Sequence, residues 1–326
     1  MARPTWINPV TSPPENGFSI PDVDSYVIDG RHIRAQGWAA LINSTKGKSL
    51  DLTIRNSILE FASPDASGAP GPGRVDLVTG APVKMPNKSA LWIANLYGVQ
   101  NALIENVDAG FVLQEHVFYP HPNGGGKILF RNCYIHDAGS QACQFRPEGN
   151  VSALGNAANV PGLIRFEDCL IENCGHPLGR RPSHALKVFY FEEAFDPATQ
   201  GGGKHVQSQL SLELEHTWIR NYGCPPHLAW GSNGKYRSFG GIFSHAKNIT
   251  MIRGGIQYVQ PNYELVHHDG WLDPTQKVLF DGVTMDGGKC WFGRCAGSLI
   301  VRNGKGNGSI VIDSQQVGSW KAGYSQ

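Results

Sequence analysis

The chain has 326 residues, a formal net charge of +1 and only 17% charged residues, where soluble domains average about 25%. So even a balance, with no basic stripe, excludes a non-specific nucleic-acid binder. The lack of any run of about eighteen apolar residues excludes a membrane-spanning helix. Forty glycines, well above the usual ~7% share, and few charges for helix surfaces point to many turns and short strands.

Residues 1–30 read as a lead-in or cap. MARPTWINPVTSPPENGF at 1–18 lacks the apolar core of a signal peptide. Either a secretion signal has been removed or the protein leaves its cell another way, as in a virion. A short pattern then recurs: LTIRNSILEF at 52–61, NALIENVDAG at 101–110, ILFRNCYIHDAG at 128–139, IRFEDCLIENCG at 164–175, LELEHTWIRNYG at 212–223, ITMIRGGIQYV at 249–259, VLFDGVTMDGG at 278–288 and SIVIDSQQVG at 309–318. Each is a brief alternating strand, a polar or Gly corner, and a second brief strand. The corners align at Asn56, Asn106, Asn132, Asp168, His216, Gly254, Gly282 and Ser314.

A third strand follows many copies, clearest in SQACQFR at 140–146, SHALKVFYF at 183–191 and GGIFSH at 240–245. Long insertions come after it, at 120–127, 147–162, 192–209 and 260–277, and would form one wall. The Gly-, Pro- and Ala-rich segment 63–89 is another excursion. Three strands per unit that must stack to bury their apolar side predict an all-β chain. It would be a single-stranded right-handed parallel β-helix, a solenoid with long loops on one edge, over 31–318. Residues 319–326 form a tail able to close or anchor its end.

Seven cysteines leave at least one without an intramolecular partner, and no C-x-x-C pair suggests zinc. The thiols are expected buried or stacked, with Cys133 and Cys169, each after a corner, as one pair. The string ELVHHDGW at 264–271 is the densest polar-aromatic cluster. Because adjacent strand residues face opposite ways, His267 and His268 are poorly placed to share a metal. No metal or cofactor is expected. Calcium is possible through loop oxygens, but no calcium-loop spacing is present. GKGNGS at 304–309 reads as a turn, not a nucleotide site.

Aligning the third strands puts Gln114 with Gln144 and Lys187, and His116 with Arg146 and Phe189. Lys187, Arg146, His184 and Tyr190 then supply what a lyase acting on uronic acids needs: a base, a proton donor and a cation. The ordinary alternative is a surface ladder, since a slip of one residue turns every side chain around. Acidic residues for a hydrolase, among Glu192, Glu193, Asp196, Asp269 and Asp273, form no motif and read as solvated. Glycan contacts are expected at His116, Tyr119, His267, His268, Asp269 and Trp271.

Over about residues 30–318 these repeats resemble the pectin-lyase-like right-handed β-helix superfamily of polysaccharide lyases, glycoside hydrolases and phage tailspikes. The polygalacturonase set N-T-D, D-D, G-H-G and R-I-K is absent. GRRPSH at 179–184 resembles an arginine-containing pectate-lyase segment without matching calcium aspartates. Fold resemblance does not assign activity. The leading expectation is a non-enzymatic extracellular or virion-surface protein for decoration, attachment or glycan binding. Its partners would be neighbouring copies, other surface proteins or polysaccharide, with no nucleic acid. The alternative is a polysaccharide-degrading enzyme, a lyase before a hydrolase.

Overall fold

A computed structural model describes residues 18–21, 23–35, 42–43, 50–61, 92–97, 99–112, 116–121, 126–138, 141–145, 161–172, 174, 189–191, 194–195, 205–206, 208–220, 241–257, 264–270, 272–313 and 315–326. These residues are all-β. A 15-stranded and an 11-stranded sheet hold nearly all the strands, and most pairings are parallel. The chain lays two segments on the larger, first sheet, crosses to the second, and returns one strand further along. Lys127–Arg131 and Tyr134–Ala138 lie in the first sheet, Cys143–Phe145 in the second, and Gly162–Glu167 in the first again.

The alternating sequence explains the core. Ile28, Ile54, Ile104, Phe130, Phe166, Leu214, Met251, Phe280 and Val301 stand in register on successive strands and are nearly solvent-free. Phe130 and Phe166 stack with centroids 4.3 Å apart, and Phe118 of the second sheet meets Phe130 edge-on at 5.1 Å. Outside, ion pairs Asp29–Arg55, Glu105–Arg131–Glu167 and Asp281–Arg302 link neighbouring strands at 2.7–3.1 Å. Such exposed pairs contribute about 0–1 kcal/mol each, so they guide register more than they stabilise.

The corners take the left-handed conformation: Gly30, Asn56, Asn106, Asn132, Asp168, His216, Arg253, Gly282 and Asn303 all have φ between 48° and 65°. Asn tolerates this region better than most residues. Its amides also bond along the stack, Asn106 Nδ2 to Asn56 Oδ1 at 2.9 Å and Asn132 Nδ2 to Asn106 Oδ1 at 3.4 Å. Two expected corners are corrected. Gly254 pairs with Thr217, one place beyond the corner, which Arg253 occupies. At the end, Ser309–Ile312 belongs to the second sheet, and the last corner is Asn303, after Ser298–Arg302. SIVI alternates like a first-sheet strand, so periodicity alone misplaces it; Ser314 lies outside the described residues.

The expected third strands form at Cys143–Phe145, Phe189–Phe191 and Ile242–Ser244, in the second sheet. Segment 260–277 is not an insertion throughout, since Glu264–Asp269 is a second-sheet strand. Pairing starts at Phe18–Ser19, which pairs with Ile42–Asn43, and continues at Ser25–Asp29, both within the expected lead-in. The C-terminus adds an antiparallel strand to each sheet, Gln315–Ser319 and Tyr324–Ser325. Between them Trp320 is fully buried, edge-on to Phe280 at 5.0 Å, with Nε1 donating to the Val283 carbonyl at 3.0 Å.

Cys133, Cys143, Cys169, Cys174, Cys290 and Cys295 are buried; Cys224 lies outside the described residues. Cys133 and Cys169 are neighbours, the Cys133 backbone N–H donating to Cys169 Sγ at 3.4 Å. Burial pushes the thiols of Cys143 and Cys169 up, and that of Cys295 to about 12. None of these three is a ready nucleophile.

Candidate glycan-binding face

The second sheet alternates between core and outward positions. Phe118, Cys143, Phe189, Ile242, Val266 and Cys290 share one register row, in which Phe118, Cys143, Ile242, Val266 and Cys290 are core residues. The next residues along, Tyr119, Gln144, Tyr190, Phe243, His267 and Trp291, form a second register row, and its described side chains, those of Tyr119, Gln144, His267 and Trp291, face the other side. This corrects the expected alignment. Gln144 stands beside Tyr190, not Lys187, and Phe189 stands beside Cys143 and Phe118, not His116. KVFYF at 187–191 offers apolar residues on both faces, so alternation does not pin its register.

Two expected glycan contacts, Tyr119 and His267, and Tyr190 of the expected lyase set therefore share one register row. Tyr119 and Gln144 are only 6% and 8% exposed. His267 is half-buried and stacks on half-buried Trp291, with centroids 4.2 Å apart and planes 25° apart. The indole also lies over its own strand two residues on, where a Cβ on Gly293 would overlap it. Glycine is thus required for this flat pose. Alongside, Arg294 grips Asp269 with two bonds, Nε to Oδ1 at 2.7 Å and a short one from the other end of the fork to Oδ2. The Arg294 backbone N–H donates to Asp313 Oδ1 at 2.9 Å.

His268 points the other way, as alternation requires, and has no exposed surface. Its Nδ1–H donates to the Ser244 carbonyl at 3.1 Å, and Nε2 accepts from Gln276 Nε2 at 2.6 Å. Burial lowers its pKa to about 4, against the smaller opposing effect of the Ser244 carbonyl. It is a neutral interior histidine without surface to offer a ligand. His116 is placed by its backbone pairing with Trp92 and Tyr190 by its pairing with Gln144. Both side chains, and all of Arg146, His184, Lys187 and Trp271, lie outside the described residues.

A second constellation, on the first sheet, was missed. After the corner, Ala109, Ile135, Ile171, Ile219, Ile256 and Met285 fill the core. The residues on either side of them face outward in two rows. One runs Asp108, Tyr134, Leu170, Trp218, Gly255 and Thr284; the other runs Gly110, His136, Glu172, Arg220, Gln257 and Asp286. His136 Nε2 donates to Asp108 Oδ1 at 2.8 Å, and Tyr134 Oη to Glu172 Oε2 at 3.1 Å. The Tyr134 and His136 rings stack at 4.3 Å. The Arg220 guanidinium sits 4.9 Å from the Trp218 ring centroid, and Gln257 Nε2 donates to Asp286 Oδ2 at 2.9 Å. The available signal was the change of residue type at equivalent places in Y-I-H, L-I-E, W-I-R and G-I-Q.

Among the described residues no group of three His, Cys, Asp or Glu is placed to hold a metal ion. No family model, curated protein or solved structure matches the chain. The class the described residues define is an all-β protein of stacked parallel strands, with a polar-aromatic surface on each large sheet.

Proposed function

We propose that the chain is a single right-handed parallel β-helix, of the pectin-lyase-like kind its repeats resemble, that binds glycans without cleaving them on the exterior of a cell or virion. The observation that carries this reading is the Trp291 platform. A half-buried indole is laid flat by Gly293, stacked on His267 and flanked by the Asp269–Arg294 pair. Flat aromatic faces suit the C–H face of a pyranose, and a charged pair alongside suits its hydroxyls. Two first-sheet segments and one second-sheet strand per circuit support the solenoid.

The test is binding to a panel of immobilised acidic and neutral polysaccharides, with release of unsaturated and reducing ends measured on the same samples. The expected result is binding without either product. Trp291→Ala should weaken it on the order of thirtyfold, as a hot-spot truncation of about 2 kcal/mol does. Unsaturated ends would replace this reading with a lyase and direct mutation to Lys187, Arg146, His184 and Tyr190. Neither binding nor product across the panel, or full binding by Trp291→Ala, would reject it.

A further inference from the structure

We propose that the outer face of the first sheet carries a second carbohydrate site, built on Asp108, Tyr134, His136, Glu172 and Trp218, that takes a neutral, hydroxyl-rich sugar. It shares no residue with the Trp291 platform and stands or falls separately.

The first argument is a contrast within the molecule. Where stacking serves only the fold, successive strands repeat the residue type. Asn follows Asn at the corner, Phe stacks on Phe and Cys meets Cys, while Ile135, Ile171, Ile219 and Ile256 line one core row. The outward row beside that isoleucine row changes at every step, through Gly110, His136, Glu172, Arg220, Gln257 and Asp286. Its His136 and Glu172 bond to complementary groups of the other outward row, imidazole to the Asp108 carboxylate and carboxylate to the Tyr134 phenol. The core makes no demand for these groups, which lie on its far side. Yet Tyr134, His136 and Glu172 are only 6–9% exposed, and enclosing polar groups is costly unless each is bonded.

The second argument is how the rings are seated. A Cβ on Gly110 would come within 2.6 Å of the His136 ring, and one on Gly255 within 2.6 Å of the Trp218 ring. Each ring therefore lies close over a glycine on the next strand. Third, two groups point to a ligand. The Asp108 side chain, with Oδ1 on His136, is the open member of the cluster at 31% exposed. Trp218 Nε1 is buried with no hydrogen-bond partner among the described residues, and a buried donor in that state favours an acceptor brought from outside. Asp108 and Trp218 stand three strands apart along one row, about 14 Å at ~4.8 Å per strand, so one unit of an oligosaccharide would donate a hydroxyl to Asp108 and a later unit would bring the acceptor to Trp218. A uronate would bring its own charge against Asp108 and Glu172, which sets the selectivity.

Titration calorimetry with neutral glucose, mannose and galactose oligomers and with oligouronates tests this. At least one neutral series should bind in a mode that oligouronates do not displace. Tyr134→Phe and Glu172→Gln should each weaken that mode at least tenfold while Trp291→Ala leaves it intact. Wild-type protein provides a check that needs no variant: the neutral oligomer should protect Asp108 from carbodiimide labelling, read by peptide mass spectrometry. No neutral binding, equal competition by oligouronates, or no protection of Asp108 would overturn the site.

Discussion

His268 carries the sharpest consequence at the scale of one residue. Its folded pKa of about 4 lies below its unfolded value of 6.5, so between these pH values the unfolded chain binds the extra proton. Stability must then rise with pH across that window, and the contribution present above 6.5 is lost as pH falls toward 4. The full loss is at most about 3 kcal/mol. Asp29, Asp281, Asp273 and Glu167 have folded pKa values lowered from 3.8–4.5, so their contributions disappear below that range. Urea unfolding at several pH values should give a slope between pH 4 and 6.5 that His268→Gln removes; an unchanged slope would place the linkage elsewhere. The opposed directions of His267 and His268 could be read from adjacency alone. That His268 is the enclosed one could not, because it depends on Ser244 and Gln276, 24 and 8 residues away.

At the scale of elements, the corner was readable where its chemistry is narrow. Asn56, Asn106, Asn132, Asp168 and His216 align by sequence and all adopt positive φ. The reading slipped at R-G-G, where glycine is the more obvious candidate but Arg253 turns the corner. Second-sheet register was harder, because KVFYF pairs either face equally well and its neighbours in the stack are distant in sequence. The first-sheet cluster stayed hidden for a related reason. Asp108, His136 and Glu172 are 28 and 36 residues apart in sequence, so only strand pairing brings them together. The corner itself can be dissected. Asn106→Ala keeps a Cβ in the left-handed region and loses the amide bonds to Asn56 and Asn132, so it should cost about 1–3 kcal/mol. Asn106→Gly relieves the backbone and loses only the bonds. A glycine variant less stable than the alanine variant would show that strain is not what asparagine relieves here.

At the scale of the whole molecule, each circuit pairs with the circuits beside it, and in such a stack stability is a sum of units and interfaces. The C-terminal end is finished differently from the rest: two antiparallel strands cover the sheet edges, a common way to blunt them, and Trp320 closes the core between them. Removing that indole leaves Phe280 and the Val283 carbonyl facing a cavity, a change that costs about 3–5 kcal/mol for a buried Trp→Ala. In a compact, fully cooperative domain the loss would spread over every amide. In the proposed solenoid it should stay near its end. Hydrogen exchange of Trp320→Ala should therefore accelerate for amides in Lys277–Asp281, Ser298–Arg302 and Ser309–Ile312, and change little in Lys127–Arg131 and Gly162–Glu167. Uniform acceleration along the chain would mean that the stack opens as one unit and that the near-neighbour picture of its stability is wrong.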